Sequence, residues 1–289
     1  MNVILGVDIG GSHITSELVD LEKKSAIESS YHRNKLNTDG SVSDIIEAWA
    51  SAIETSLHNS EIKSSQICIA MPGPMDYELG ICKIKDQNKY GALYEKNVKL
   101  LLAERLGYPT AAIQFKNDAA CFLQGELFSG SISEFDEAIG LTLGTGLGTA
   151  HTVNGEARDS NLWKAPFLKG IAEDYISTRW FVKRFEELSG IVIRDVKDLV
   201  DNHHASPYFE KVFDEFSYNL ALFLKIFIKK KRPLAAVIGG NIARAEAYFL
   251  DRTRKYLKDF MGYSFPIRKS VLGEEAAILG AGASFKAIN

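Results

Sequence analysis

Asp8 and the glycine pair that follows it are the first residues in the chain that could take part in phosphate chemistry. Strand-forming residues flank them at Ile4–Val7 and Ile14–Val19, and Gly10-Gly11-Ser12 between them is a tight-turn sequence. Glycines allow φ > 0 and close approach of a ligand, and backbone N–H groups at such a tip suit an anion. Asp8 could hold a hard cation through water. The stretch therefore indicates a phosphate-and-magnesium hairpin or an ordinary β-hairpin.

A second glycine-rich hairpin lies far along the chain. Ala138–Leu143 leads in, Gly144-Thr145-Gly146 forms the tip, and Thr149–Val153 leads out. A strand follows the glycines, whereas a helix follows them in a dinucleotide-binding Gly-x-Gly-x-x-Gly motif, and the Lys-Ser/Thr of a P-loop is absent. Two such hairpins suggest a duplicated domain with a nucleotide clamped between the halves.

Asn117 and Asp118 form a polar pair where a predicted strand, Thr110–Phe115, gives way to a predicted helix that runs to Phe128. Ligands of α/β folds bind at the carboxyl ends of strands. Asp118 could accept a hydroxyl proton or orient the hydroxyl for phosphoryl transfer. The alternative is that the pair only caps the helix.

Gly239-Gly240-Asn241 ends a buried strand that begins at Ala235. The two glycines could let an adenine or ribose lie flat against the backbone. The alternative is a simple strand-to-helix turn.

The surrounding elements alternate between strands and helices, which predicts an α/β fold with mixed sheets flanked by helices. Besides those named above, we predict strands at Ser25–Arg33, Gln66–Met71 and Ser264–Ile267, and helices at Val42–Leu57, Tyr94–Leu106, Ile171–Leu188, Tyr208–Lys231, Arg244–Met261 and Gly273–Phe285. The last helix is rich in Ala and Gly, which favours close packing against a neighbour.

Composition limits the class of protein. The chain has 289 residues, 46% of them hydrophobic and 25% charged, with a net charge of −3. These values are typical of a two-domain globular protein and argue against general nucleic-acid binding. No apolar run approaches the ~18 residues of a membrane span. The chain enters a strand at once, without a signal peptide, and its three cysteines show no paired spacing, so we expect a cytoplasmic protein with reduced thiols.

Six stretches together resemble the ROK family, which comprises bacterial sugar kinases and related repressors of the actin–hexokinase superfamily. Each motif is weak alone, but their order along nearly the whole chain is specific. The stretches are Val7–Ser12, Met71–Asp76, Asn117-Asp118, Leu143–Thr149, Val237–Asn241 and Leu272–Gly280.

The resemblance implies two ribonuclease-H-like domains, hinged around a central cleft. The first would span residues 1–118 and the second residues 119–272, with the helix in 273–289 packing back on the first. It also implies ATP and Mg²⁺ as cofactors and a sugar hydroxyl as the acceptor.

Family resemblance also implies a role for individual residues. Asp118 matches the catalytic base, and Asn117 a sugar-binding residue beside it. Asn88, Gly73 and Glu173 match positions on the sugar side. The donor side comprises Asp8, Gly10, Gly11, Ser12, Gly144, Thr145, Gly146, Gly239, Gly240 and Asn241, with Asp8 holding magnesium through water.

One segment departs from the family pattern. Most family kinases carry Glu-x-Gly-His and a cysteine cluster that hold a structural zinc and part of the sugar, but Asn154–Glu173 contains neither Cys nor His. Tetrahedral zinc sites need such ligands. We therefore expect no bound zinc. The loss of these residues also leaves undecided whether glucose is the preferred sugar. Glu173 still matches the Glu that ends the cluster.

The sequence thus predicts an ATP-dependent kinase for a hexose or hexose derivative, and leaves several alternatives. One is a catalytically weak sugar sensor or regulator of the same fold, and another is a kinase for an N-acetylated amino sugar. Polyphosphate could replace ATP as the donor, and a homodimer is open. A repressor would need a helix-turn-helix domain ahead of the first hairpin, where Val3 already begins a strand.

Overall fold

The structure, a computed structural model, describes residues 2–85 and 89–286. It forms two compact units, one of Met1–Gly130 with Glu274–Asn289 and one of Ser131–Gly273. Each unit has its own five-stranded mixed sheet.

The sheet of the first unit has the order β3-β2-β1-β4-β7. The β1–β2 and β2–β3 pairs are antiparallel, whereas β4 lies parallel to both β1 and β7. A separate small pair, β5–β6, follows β4. The strands are β1 (Val3–Ile9), β2 (His13–Asp20), β3 (Ser25–Lys35), β4 (Ile67–Met71), β5 (Met75–Asp76), β6 (Ile81–Cys82) and β7 (Ile113–Asn117).

Helices cover both faces of this sheet because side chains of β1 alternate between two apolar clusters. Leu5 and Val7 pack with α1 and α2, whereas Ile4 packs with α3 and α8. The helices are α1 (Val42–His58), α2 (Val98–Leu106), α3 (Asp118–Phe128) and α8 (Glu275–Ala283), with short 3-10 turns at Gly91–Leu93 and Thr110–Ala112.

Glycines let α3 and α8 pack backbone to backbone. A Cβ on Gly280 would lie 1.7 Å from the carbonyl oxygen of Cys121, and one on Gly125 would lie 2.0 Å from that of Ala276. This packing draws α3 into the first compact unit, which therefore ends at Gly130. The predicted domain boundary after residue 118 precedes α3 and stays a prediction.

The second unit repeats the strand arrangement of the first. Its sheet has the order β10-β9-β8-β13-β14, with an antiparallel β8–β9–β10 meander and with β13 parallel to β8 and β14. The strands are β8 (Ala138–Leu143), β9 (Leu147–Val153), β10 (Glu156–Asp159), β13 (Ala235–Gly239) and β14 (Ile267–Lys269), with a small pair β11 (Pro166–Phe167) and β12 (Gly170–Ile171).

An aromatic-rich core joins this sheet to its helices. Phe181 and Phe216 have ring centroids 4.6 Å apart, and Phe213 and Phe227 belong to the same buried cluster. The helices are α4 (Thr178–Ser189), α5 (Val196–Asn202), α6 (Phe209–Lys231) and α7 (Leu250–Met261), with 3-10 turns at Ala172–Asp174 and Ile242–Tyr248.

The predicted α/β fold with mixed sheets and flanking helices is confirmed, but several element limits were wrong. The helix predicted from Tyr94 begins only at Val98, where the Asn97 side chain accepts the Leu100 N–H at 2.9 Å and caps it. The helix predicted over 171–188 is interrupted between the 3-10 turn and α4. The predicted 264–267 strand lies at 267–269, because pairing with Ala236–Ile238 determines its register.

The described helices also bear on a membrane location. Within residues 2–85 and 89–286, none has the length and apolar character that crossing a membrane requires.

Candidate functional site

Three parallel strands of the first unit bring the predicted residues to one edge of the sheet. Asp8 lies opposite Ala70 of β4, and Met71 of β4 lies opposite Asn117 of β7. Because parallel strands end at the same edge, Asp8, the Met71–Gly73 turn and Asn117-Asp118 share it. This edge is where ligands of open α/β sheets bind.

The first glycine hairpin presents two backbone donors at its tip. The Gly10 N–H donates to the His13 carbonyl at 2.9 Å, whereas the N–H groups of Gly11 and Ser12 have no acceptor within the described ranges. The Gly10 carbonyl in turn accepts the Tyr90 hydroxyl at 2.5 Å. Consecutive unpaired amides of this kind form an anion site.

The glycines at the two hairpin tips do not adopt the left-handed conformation that the sequence led us to expect. Positive φ angles occur elsewhere, and not at Gly10, Gly11, Gly144 or Gly146. Instead, a Cβ on Gly11 would meet nothing closer than 3.8 Å, and one on Gly144 would meet nothing within 4 Å. Gly11 and Gly144 therefore leave room for a ligand and are not required by the turn.

Asp8 lies in a strongly negative environment. Burial, then the nearby carboxylates of Asp118 and Glu274, raise the pKa of Asp8 to about 7, and Arg33 opposes the shift. Arg33 itself forms an ion pair with Glu274. A cation beside Asp8 would relieve the repulsion, so this environment fits a magnesium-bound nucleotide.

The Asn117-Asp118 pair caps α3 and also faces the sheet edge. The Asn117 Oδ1 accepts the Ala120 N–H at 3.0 Å, and an Asp118 carboxylate oxygen accepts the Ala119 N–H at 2.8 Å. The capping alternative is thus real for Asn117, but capping uses only part of each side chain.

Tyr77 connects two of the predicted sugar-side residues. The Asn117 amide donates to the Tyr77 hydroxyl at 3.2 Å, and that hydroxyl donates to the Met71 carbonyl at 3.0 Å. A Cβ on Gly73 would lie 3.1 Å from the same hydroxyl. Gly73 and Asn117 are therefore brought together, whereas Asn88 lies outside the described residues.

The second hairpin repeats the first. The Gly144 N–H donates to the Gly146 carbonyl at 3.0 Å, and the N–H groups of Thr145 and Gly146 have no acceptor in the described part of the chain. Both tips therefore offer two adjacent donors.

Gly239-Gly240-Asn241 lies directly beside this hairpin. Gly239 pairs with Thr142 of β8. Gly240 has a φ of +89°, and a Cβ there would lie 2.4 Å from the Leu143 carbonyl. Only glycine meets both demands. Asn241 follows at the start of a 3-10 turn, without a side-chain cap bond.

Glu173 lies against the tip of the second hairpin. Its Oε2 accepts the Leu147 N–H at 2.9 Å, and its Oε1 pairs with Arg179. A Cβ on Gly146 would lie 2.6 Å from Oε2. Glu173 thus contacts the second hairpin, which the sequence predicted to be on the donor side, although the sequence predicted Glu173 itself to be on the sugar side.

Within the described residues, no group of three or more His, Cys, Asp or Glu side chains is arranged to hold a metal ion. The absence of zinc stays a prediction. A magnesium ion bound mainly by nucleotide phosphates would need only one or two protein carboxylates, and Asp8 is the one that the sequence predicted.

Sequence reasoning did not find Tyr77, Tyr90 or Arg179 as parts of these sites. Tyr77 is separated from Asn117 by 40 positions and Tyr90 from Gly10 by 80, so no local pattern connects them. Arg179 lies only six positions from Glu173. The break between the 3-10 turn and α4, which a continuous predicted helix concealed, produces that contact.

Comparison with known proteins identifies the family. The model of the ROK family matches residues 4–160, which is more than half of the chain and includes the first hairpin, Asn117-Asp118 and the second hairpin. The chain belongs to the ROK family. The resemblance predicted from the six motifs is confirmed.

Curated relatives of this ROK chain match over their whole length. A glucokinase from Thermotoga maritima is 26% identical over 322 residues, covering 98% of this chain and 97% of the relative. An N-acetyl-D-glucosamine kinase from Mannheimia succiniciproducens is 24% identical over 317 residues, covering 98% and 99%.

Solved ROK structures share the fold. A ROK hexokinase from Thermus thermophilus has a TM-score of 0.80 at 23% identity, with 97% of this chain and 96% of that chain covered. A ROK glucokinase from Streptomyces griseus, in complex with glucose and AMPPNP, has a TM-score of 0.78 at 20% identity, with 97% and 98% covered.

Proposed function

We propose that this protein is a sugar kinase that transfers the terminal phosphoryl group of ATP to a hydroxyl of a hexose or hexose derivative. The observation that carries the proposal is the shared sheet edge of the first unit. There, a carboxylate suited to be a base, Asp118, lies in the electrostatic reach of Asp8, beside a hairpin with two unpaired amides. The second unit has a hairpin of the same kind, with two unpaired amides of its own that suit phosphate oxygens.

Each predicted residue has a role in this proposal. Asp118 is the catalytic base. Asn117, Gly73, Asn88 and Glu173 serve the sugar. Two hairpins and the Gly239–Asn241 turn serve the nucleotide, through Asp8, Gly10, Gly11, Ser12, Gly144, Thr145, Gly146, Gly239, Gly240 and Asn241.

Phosphoryl transfer depends mainly on the positioning of the two reactants and on neutralisation of the phosphate charge. Asp118 accepts the proton of the attacking hydroxyl as the new O–P bond forms, while the bond between the terminal phosphorus and its bridging oxygen breaks and ADP leaves. In the first unit the amides of Gly11 and Ser12 donate to phosphate oxygens, and in the second unit those of Thr145 and Gly146 do so. Asp8 is the residue that would hold a magnesium ion, through water, and a bound magnesium would neutralise part of the phosphate charge.

The acceptor sugar has two candidate classes. The curated relatives include a glucokinase and N-acetyl-D-glucosamine kinases, which favours both a hexose and an N-acetylated amino sugar. This chain lacks the His and Cys residues that most family kinases carry in the segment 154–173. The side chains that contact the sugar there therefore differ from those of most family kinases. Loss of a hydrogen-bonding partner changes discrimination strongly.

The test is a coupled kinase assay with ATP and Mg²⁺ across glucose, mannose, N-acetylglucosamine and N-acetylmannosamine. We expect turnover with at least one sugar, and a loss of about 10²- to 10⁴-fold in kcat for Asp118→Asn, because the amide cannot take the proton. Nucleotide binding should be retained. Asp39→Asn, an exposed carboxylate in the same unit, is the control.

Two outcomes would contradict the proposal. Near-wild-type turnover by Asp118→Asn would reject that residue as the base. Sugar binding in a thermal-shift assay without turnover on any sugar would favour the weakly catalytic sensor instead.

We place the reaction in the cytoplasm and expect neither nucleic acid nor membrane as a partner. Cys68, Cys82 and Cys121 are buried and unpaired with one another, which suits a reducing compartment. A homodimer stays an open proposal that light scattering of the purified protein would test.

A further inference from the structure

The carboxylate of Glu173 puts negative charge directly beside the second hairpin. It is bonded to the Leu147 N–H, and the Glu173 side chain is only 17% exposed. A phosphate group approaching the amides of Thr145 and Gly146 would meet this charge at short range. Weak solvent screening would make the repulsion considerable, so the site needs a cation to bind a polyanion.

Arg179 is the cation at this position. It lies in the first turn of α4 and forms an ion pair with the Glu173 Oε1 through Nη2. Its side chain is 65% exposed, and a guanidinium has five N–H donors, so the bond to Glu173 leaves donors for a second anion.

The start of α4 is attached to the hairpin itself. The Thr178 N–H donates to the Gly144 carbonyl at 2.8 Å, so Arg179 follows a residue that contacts the tip. The N-terminus of a 12-residue helix also carries partial positive charge.

The N-cap residue of α4 lacks the side-chain bond that usually closes the start of a helix. Ser177, the N-cap residue of α4, is fully buried, and its hydroxyl oxygen has no hydrogen-bond partner in the described structure. Buried hydroxyls are normally paired, and an N-cap serine usually accepts a helix N–H. The first turn of α4 therefore lacks a side-chain cap from Ser177.

We propose that Arg179 contacts the phosphate chain of the donor at the second hairpin, and that Glu173 holds it there. The inference rests on the proposed kinase function and deepens it by naming a donor-binding residue. Recognition is of the phosphate chain, which ATP and linear inorganic polyphosphate share. The competing interpretation is a surface ion pair with no part in binding.

Direct binding measurements without sugar test the inference separately from catalysis. Isothermal titration calorimetry would measure Kd for magnesium–AMPPNP and for magnesium–tripolyphosphate with wild type and Arg179→Gln. We expect AMPPNP binding to weaken by about tenfold or more in the variant, as loss of a charge-assisted hydrogen bond predicts. Arg184→Gln, on the same helix and paired with Glu215, should bind as wild type does.

The tripolyphosphate arm distinguishes the two donors. Binding of tripolyphosphate that weakens by a similar factor in Arg179→Gln would support a contact to the phosphate chain in either donor. An effect on AMPPNP with no tripolyphosphate binding by wild type would support the nucleotide as the donor that Arg179 serves.

A double variant distinguishes a direct contact between Arg179 and phosphate from mere screening of the Glu173 charge. If Arg179 contacts phosphate, Glu173→Gln/Arg179→Gln should still bind AMPPNP more weakly than wild type, although better than Arg179→Gln. Full recovery of wild-type affinity would mean that Arg179 only screens Glu173, and would overturn the inference. Circular dichroism melts would confirm that each variant is folded.

Two further outcomes distinguish failure of the Arg179 inference from failure of the proposed kinase function. If wild type binds AMPPNP and Arg179→Gln binds equally well, the inference is wrong and the kinase proposal stands. If wild type binds neither probe and shows no kinase activity, the proposed function fails with it.

Discussion

At the scale of single residues, the same residue type has different consequences in different surroundings. Asp8 and Glu17 are both acidic residues of the β1–β2 hairpin, and burial raises the pKa of each to about 7. Asp8 faces the carboxylates and the hairpin tip, where a cation would bind. Glu17 lies under α8, away from that tip, opposite Gly6 of β1.

Glu17 should make the protein less stable as the pH rises. It is 2% exposed, and its Oε2 has no partner in the described residues. Burial, then Glu275 and Glu28, raise its pKa from 4.5 to about 7. The folded carboxyl thus keeps its proton between these pH values while the unfolded one loses it, so stability falls with rising pH across this window.

Glu17→Gln removes this penalty. We expect the variant to be about 1 to 3 kcal/mol more stable than wild type at pH 8 and nearly equal to it at pH 4, since one pKa unit corresponds to about 1.4 kcal/mol. Urea unfolding at both pH values measures the difference, in which the contribution of Asp8 cancels. Glu61→Gln, an exposed site, is the control. A stability difference that does not change with pH would contradict the prediction.

At the scale of elements, both hairpins depend on contacts from distant segments. The first is held by Tyr90, which is buried, packs edge-on against Trp49 at 5.8 Å between ring centroids, and donates its hydroxyl to Gly10. The second is held by Glu173 and by the start of α4. Strand pairing builds each hairpin, but these contacts set the direction of its tip.

Tyr90→Phe should weaken nucleotide binding at only a modest cost to the stability of the fold. The ring still fills its pocket, while the bond to the Gly10 carbonyl is lost, which costs about 0.5–1.5 kcal/mol. We expect Kd for magnesium–AMPPNP to rise about two- to tenfold, with a small change in melting temperature.

Tyr108→Phe is the matched control for this prediction. Its hydroxyl lies 3.4 Å from the Ser64 carbonyl, also in the first unit but away from the hairpin. Equal affinities of wild type and Tyr90→Phe, measured by calorimetry, would show that the tyrosine has no part in shaping the tip.

Gly11→Ala should leave the stability of the nucleotide-free protein almost unchanged but should weaken the binding of ATP. Its Cβ would meet nothing closer than 3.8 Å, so stability should change by less than about 1 kcal/mol, but the methyl group would occupy the space that a phosphate needs. We expect the KM for ATP to rise at least about tenfold.

Gly91→Ala tests whether that effect is specific. A Cβ on Gly91 would also meet nothing within 4 Å, but this residue lies in a 3-10 turn and is not part of the hairpin tip. Initial-rate kinetics should give it a wild-type KM for ATP. A normal KM in Gly11→Ala as well would mean that the first tip does not approach phosphate.

At the scale of the whole molecule, one architecture occurs twice. In each unit a three-stranded antiparallel meander continues into two parallel strands, and a glycine tip joins the first strand of the unit to the second. The duplication inferred from two hairpin motifs is thus seen in the topology. Each unit has its own sheet and its own hydrophobic core, so each hairpin is positioned by contacts within its own unit.

The purified protein should contain no stoichiometric zinc. Residues 154–173 contain no Cys or His, and Cys68, Cys82 and Cys121 belong to the first unit, where they are buried as thiols. Burial also raises the pKa of Cys68 to about 12, which disfavours the thiolate that zinc would bind. Elemental analysis that found about one zinc per chain after dialysis against a chelator would disprove this.

The sequence by itself determined the class of fold, both glycine hairpins and the Asn117-Asp118 pair. These features depend on turn chemistry, strand-forming runs and the order of motifs, all of which are local or additive along the chain. The ends of elements were less predictable: α2 begins at its Asn97 cap, and β14 follows its pairing with β13.

Only the tertiary structure decided which partners these residues meet. Tyr90 reaches Gly10 across 80 positions, and Glu173 reaches the second hairpin across 26. The pKa values of Asp8 and Glu17 likewise depend on the charges of Glu274 and Glu275, at the start of α8 and near the far end of the chain. Such contacts and fields arise from packing between segments, so no periodicity or motif in one stretch contains them.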